Sequence, residues 1–123
     1  MRILLVEDHE DTRQILARLL THWGYNVFAA ENLQAGLDQL DRQPIDAIVS
    51  DIGLPDRSGY ELMQELSTTK GLRGIALSGF GMENDVNRAR AAGFSEHLTK
   101  PINFDRLEQS IQSLLDPEPA VGS

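Results

Sequence analysis

Five short apolar runs, each followed by a segment of helical spacing, restrict what this chain can fold into more than any other feature. The runs are "RILLV" (2–6), "YNVFAA" (25–30), "IDAIVS" (45–50), "GIALS" (74–78) and "EHLT" (96–99), all of strand length. After the first, "DTRQILARLLTHWG" puts Ile15, Leu16, Leu19, Leu20 and Trp23 at helical spacing, with Gly24 as the stop. "NLQAGLDQLDRQ" aligns Leu33, Leu37 and Leu40, and Pro44 ends it. "YELMQEL" aligns Leu62, Met63 and Leu66, "MENDVNRARAAG" ends at Gly93, and "FDRLEQSIQSLL" lines up Phe104, Leu107, Ile111 and Leu114. Strand–helix alternation repeated five times predicts a parallel sheet with helices on both faces, because right-handed crossovers cover each side.

At 123 residues the chain can bury one core and is too short for two ordinary domains. The expected division is a single domain over 1–116, with "PEPAVGS" (117–123) as a flexible tail or linker. A net charge of −8 repels phosphate backbones, which argues against direct nucleic-acid binding. Cysteine is absent, so thiolate metal sites and disulfides are excluded. No apolar run reaches membrane-spanning length and "MRILLVEDHE" turns acidic too early for a signal peptide, so the expected location is the cytoplasm, without membrane contact.

The polar residues that close the runs carry the chemistry. In parallel α/β sheets ligands bind beyond the carboxyl ends of the strands. Glu7 and Asp8 follow the first run, Asp51 the third, Ser78 the fourth and Lys100 the fifth. One such residue is an ordinary turn former or helix cap; five at four strand ends are harder to explain that way. If the first and third strands are neighbours, their acids converge. Two carboxylates about 4–5 Å apart repel by roughly 3–4 kcal/mol at an effective dielectric near 20. A divalent cation with oxygen ligands relieves this, and magnesium suits one or two direct carboxylates plus a carbonyl and waters.

The motifs "LLVEDHEDTR", "DAIVSDIGLPDRSGYELM", "GIALSGFG", "AAGFSEHLTKPIN" and the last amphipathic segment, from about residue 2 to residue 115, resemble the receiver domain of two-component response regulators. The wording of "ALSGFGMENDVNRARAAGFSEHLTKP" is most similar to receivers at the C-terminus of hybrid sensor histidine kinases. The resemblance implies a flavodoxin-like doubly wound five-stranded sheet of order 2-1-3-4-5 flanked by five helices. It implies that Asp51 accepts a phosphoryl group from a phosphohistidine on a sensor histidine kinase or a histidine phosphotransfer domain. Asp8 and Asp51 would ligate Mg2+ directly with the carbonyl of Gly53, and Glu7 would act through water. Ser78 and Lys100 would bind phosphoryl oxygens, and the Lys100–Pro101 bond would be cis. Ser78 would shift inward on phosphorylation, biasing the face of the fourth helix, fifth strand and fifth helix toward a downstream output domain or protein. A monomer or weak dimer is expected. As an isolated domain it would be no enzyme toward an external substrate, although it assists its own phosphorylation and dephosphorylation.

Departures from the family pattern sharpen the reading. His97 stands where Tyr or Phe is usual, and is expected to take the inward-moving switch role with a smaller, titratable ring. Gly53 offers no side chain to screen the site, Gly79 leaves room, and Phe80 is bulky enough to shield a phosphoryl group. His9 beside the acids is a candidate for influencing kinase docking.

Other classes fit less well. A magnesium-dependent phosphatase with an aspartyl-phosphate intermediate needs an acid two residues past the nucleophile, where this chain has Gly53. A flavodoxin-like cofactor carrier needs a phosphate-cradling loop, but "EDHED" is acidic. A nicotinamide site lacks its G-x-G-x-x-G after the first strand. The remaining alternative is a receiver-like protein-interaction module that works without phosphorylation.

Overall fold

The computed structural model describes residues 2–52, 63, 72–78 and 93–115. Within them the chain runs β1 (Arg2–Val6), α1 (Glu10–His22), β2 (Asn26–Ala30), α2 (Leu33–Arg42), β3 (Ala47–Asp51), β4 (Arg73–Ser78), β5 (Glu96–Thr99) and a last helix, here α3 (Phe104–Leu115). All strand pairs are parallel and the order is β2-β1-β3-β4-β5. This is the flavodoxin-like arrangement expected. The helix read at "YELMQEL" lies outside the described residues except for helical Met63, and "MENDVNRARAAG" except for Gly93. The tail at 117–123 lies outside them as well.

The strands end where local chemistry stops them, and the helices carry their own punctuation. Gly24 takes φ +100°, which only glycine adopts cheaply, and its N–H bonds Thr21 O at 3.0 Å while Tyr25 N–H bonds Leu20 O at 3.1 Å. These two bonds close the last carbonyls of α1 in a Schellman turn. Asn32 Oδ1 accepts from Ala35 N–H at 2.8 Å to start α2, and Asn103 Oδ1 accepts from Arg106 N–H at 3.0 Å at the start of α3. His9 holds the N-cap position of α1 and makes no side-chain cap bond.

Alternation along the strands builds two cores. Ile3, Leu5, Val49, Ile75, Leu77 and Leu98 pack with Leu16 and Leu20 of α1 and with Leu107, Ile111 and Leu114 of α3. Leu4, Val6, Ile48 and Ala76 pack on the other face with Leu33 and Leu40 of α2, Met63 and Phe94. Each fully buried leucine or isoleucine contributes about 1.5–3 kcal/mol, so the central strands hold the sheet rigid beneath its ends. Two members of the expected helical stripes are not core residues. Ile15 is 53% exposed and Phe104 43% exposed. Both lie on the side of the molecule near Lys100, at the carboxyl ends of the strands. With Thr12, Leu16, Lys100, Pro101 and Ile102 they line a groove of about 270 Å³.

At the opposite end of the sheet, Arg2 N–H donates to Asp46 Oδ2 at 2.8 Å, and Arg73 Nη1 donates to Leu114 O at 2.9 Å. Both the first strand and the last helix are therefore anchored at the pole away from the acids.

Candidate functional site

Strand parity sorts the polar residues into two groups before any side-chain contact is considered. Glu7 follows Leu5, Asp51 follows Val49 and Lys100 follows Leu98, all on the face of α1 and α3. Ser78 follows Ala76 on the opposite face, and His97 is level with Ala76 in the β4–β5 register. Because β1 and β3 are neighbours, with Val6 opposite Ser50, Glu7 and Asp51 meet at adjacent strand ends.

On the first face one ammonium serves several acids. Lys100 Nζ lies 2.8 Å from Glu7 Oε1 and 2.9 Å from Asp51 Oδ2. Glu7 is fully buried and Asp51 is 6% exposed. Burial acts to lower the Lys100 pKa, but the hydrogen bonds to Glu7 and Asp51 outweigh it and hold the group above its ordinary 10.5. The second oxygen of Glu7, Oε2, accepts from His9 N–H at 3.1 Å and lies 3.1 Å from His9 Nδ1. Arg13 Nη1 donates to Glu7 O at 2.9 Å, tying α1 to the end of β1.

Asp8 completes the group, and its Oδ1 is buried with no hydrogen-bond partner, although His9 Nδ1 is 3.4 Å away. An unsatisfied buried acceptor costs about 1–3 kcal/mol. Among the described residues Lys100 pairs with two of the three carboxylates, so the cluster keeps an excess of negative charge. Ligand atoms of Glu7, Asp8, His9 and Asp51 all lie within 4.8 Å of one another. An acidic group with an orphaned oxygen and hard donors fits a divalent metal ion. This part of the molecule is a metal-binding type of centre.

On the second face the contact is a hydrogen bond that involves no carboxylate. Ser78 Oγ and His97 Nε2 are 2.9 Å apart, with Ser78 fully buried. The ring spans the diagonal, since Ser78 itself pairs with Thr99 in the register.

Several expectations change in detail. Asp51 is the last residue of β3, not the first residue after it: it is level with Leu77, and the next N–H, of Ile52, bonds Leu77 O at 3.0 Å. The strand also begins at Ala47, later than Ile45, with Asp46 just before it bonded to Arg2 through both its N–H and its side chain. Lys100 pairs with Glu7 and Asp51, and its expected contact with a phosphoryl oxygen belongs to the phosphorylated protein. The Lys100–Pro101 bond is cis as expected. Gly53, Gly79 and Phe80 lie outside the described residues. Sequence reading did not anticipate the direct Ser78–His97 contact or the approach of His9 to the acids; a histidine in a helix-cap position, where Ser, Thr, Asp or Asn is preferred, was the available signal for the latter.

Comparison with known proteins agrees with this geometry. The family model described as "Response regulator receiver domain" matches residues 3–112. An uncharacterized 14.6 kDa protein of Leptolyngbya boryana is 37% identical over 91% of this chain and 88% of its own length. The KDP operon transcriptional regulatory protein KdpE of Escherichia coli is 34% identical over 92% of this chain, which spans 50% of KdpE. The virulence sensor protein BvgS of Bordetella pertussis is 31% identical over 90% of this chain, which spans 10% of BvgS. Among solved structures, the response regulator protein TrrA of Thermotoga maritima in complex with Mg(2+)-BeF is 30% identical, with TM-score 0.82, covering 93% of this chain and 98% of that one. Fold, strand-end chemistry and sequence kinship agree: the chain belongs to the response regulator receiver domain family.

Proposed function

We propose that this receiver is a phosphoryl-accepting switch in which Asp51 is the nucleophile and the bound metal is Mg2+. The observation that carries the reading is the convergence of Asp51, Glu7 and Lys100, with Asp8 Oδ1 left without a donor. An oxygen of Asp51 forms a bond to phosphorus as the phosphohistidine N–P bond breaks, and the departing imidazole nitrogen keeps the electron pair. Asp8 and Asp51 would hold the metal, with Gly53 O beside them and Glu7 acting through water; when bound, magnesium neutralises charge on the transferring group. Lys100 is a second source of positive charge, and it exchanges a carboxylate for a phosphoryl oxygen once Asp51 is modified. The presence of Mg(2+)-BeF in the TrrA complex supports the choice of metal.

Ser78 and His97 form the switch in this reading. The new phosphoryl oxygens attract the Ser78 hydroxyl, which leaves His97 Nε2, and the ring follows into the vacated space. This alters the face of the fourth helix, β5 and α3 that meets a downstream domain or protein. The phosphodonor is a sensor histidine kinase or histidine phosphotransfer domain, and the kinship with BvgS supports placement within a hybrid sensor as one setting. Its apolar surface would seat on the groove of Ile15 and Phe104, which Lys100 also lines. A domain over residues 1–116, followed by a linker at 117–123 and working as a monomer or weak dimer, completes the proposal.

The test is incubation with magnesium and a small acyl phosphate, followed by intact-mass measurement. Wild type gains one phosphoryl group and Asp51→Asn gains none; equal labelling of both removes Asp51 from its role. The groove is tested separately: Phe104→Ser slows transfer from a phosphohistidine protein and leaves labelling by acyl phosphate unchanged.

A further inference from the structure

The acidic centre of this chain has a neighbour that an all-oxygen magnesium site does not need. His9 is at the N-cap of α1, a position that favours short oxygen-bearing side chains, and its ring makes no cap bond there. The ring instead turns back over the acids. Its Nδ1 is 3.1 Å from Glu7 Oε2 and 3.4 Å from Asp8 Oδ1, the buried oxygen that has no hydrogen-bond partner. Atoms bound to one small dication at about 2.1 Å stand about 3.0 Å apart at adjacent corners of an octahedron and about 3.4 Å apart in a tetrahedron. His9 Nδ1 and Asp8 Oδ1 already have that spacing, with Glu7 Oε2 within hydrogen-bond reach of the ring. The His9 side chain is 71% exposed, so its far edge meets solvent and the ring can adjust without disturbing the core.

We infer that His9 Nδ1 is a direct ligand when a transition-metal dication takes this site, so that the centre binds imidazole-preferring ions such as Ni2+ and Zn2+ with an affinity that an oxygen-only receiver site lacks. Imidazole nitrogen is a good donor to first-row transition metals and a poor one to magnesium, which prefers oxygen and retained water. His9 therefore separates the two classes of ion: it strengthens one and is passed over by the other. The inference rests on the metal-binding reading of Glu7, Asp8 and Asp51 and adds the identity of the ions admitted.

The experiment compares Ni2+ and Mg2+ binding by calorimetry in wild type, His9→Ala, His9→Gln and, as a control for surface histidines, His22→Ala. Loss of one direct ligand is expected to weaken Ni2+ about tenfold or more in both His9 variants, with Mg2+ affinity within about twofold and His22→Ala like wild type. His9→Gln keeps a polar group opposite Glu7, so recovery of Ni2+ affinity by Gln would reduce His9 to a hydrogen-bonding role and overturn the inference. A nitrogen-15 spectrum of the histidine rings gives a second readout: Zn2+ moves the His9 Nδ1 resonance and Mg2+ leaves it in place. Unchanged Ni2+ affinity in His9→Ala overturns the inference alone, whereas failure of wild type to bind Mg2+ overturns the underlying reading of the site.

Discussion

The two faces of the sheet solve the same problem at their carboxyl ends by different means. On the side of α1 and α3, Glu7, Asp51 and Lys100 are held by charge, with too many acids for the cation available. On the other side, Ser78 and His97 are held by one hydrogen bond between groups that need carry no charge. The difference teaches where each kind of group belongs in a switch. The charged half is built under tension and gains from an incoming metal ion, while the other half rests on one hydrogen bond and can be moved by a modest competing attraction.

The largest way to disturb this contrast is Lys100→Met, which strips the ammonium from two buried acids. Without added metal it should lower the unfolding free energy by about 3 kcal/mol in urea titration, with part restored by Mg2+. The sign with pH follows from the raised Lys100 value. Its contribution is present below the ordinary 10.5 and is lost as pH rises through the higher folded value, so the gap to wild type should persist at neutral pH and close in strong alkali. A gap that stays open in strong alkali would place the tension elsewhere.

Asp8→Asn should act in the opposite direction and more weakly. Removing one charge from the crowded group should stabilise the metal-free protein by about 1–2 kcal/mol and abolish the rise in Tm on adding Mg2+. If it destabilises, Asp8 is not under electrostatic strain. The smallest effect belongs to the Ser78–His97 half. His97→Ala leaves the Ser78 hydroxyl short of a partner and should cost about 1 kcal/mol, while reducing the phosphorylation-dependent change in partner affinity. If that change in affinity survives intact, His97 has no part in the switch, and if the stability loss equals that of Lys100→Met, the two halves are not different in kind.

The same division marks what the sequence could disclose. Apolar periodicity placed β1, β5 and α3 with their observed bounds, and Gly24 marked the end of α1, because these depend on neighbours in the chain. Parallel order with acids at strand ends was enough to bring Glu7, Asp8 and Asp51 together. Lys100 bridging Glu7 was not legible, since it depends on how far a flexible side chain reaches across three strands. The Ser78–His97 contact needed the β4–β5 register, which a four-residue strand does not announce. Ile15 and Phe104 satisfied the helical pattern and still lie outside the core, because periodicity identifies a face and says nothing about where the covering layer stops.

The contacts of Arg2 with Asp46 and of Arg73 with Leu114 have an architectural corollary. Five-residue strands put roughly 17 Å of sheet between that basal seam and the acids. The start of β1 and the end of α3 are therefore fastened at the floor of the domain, on the side away from its roof. Tethering at one pole leaves the acidic pole structurally independent of it.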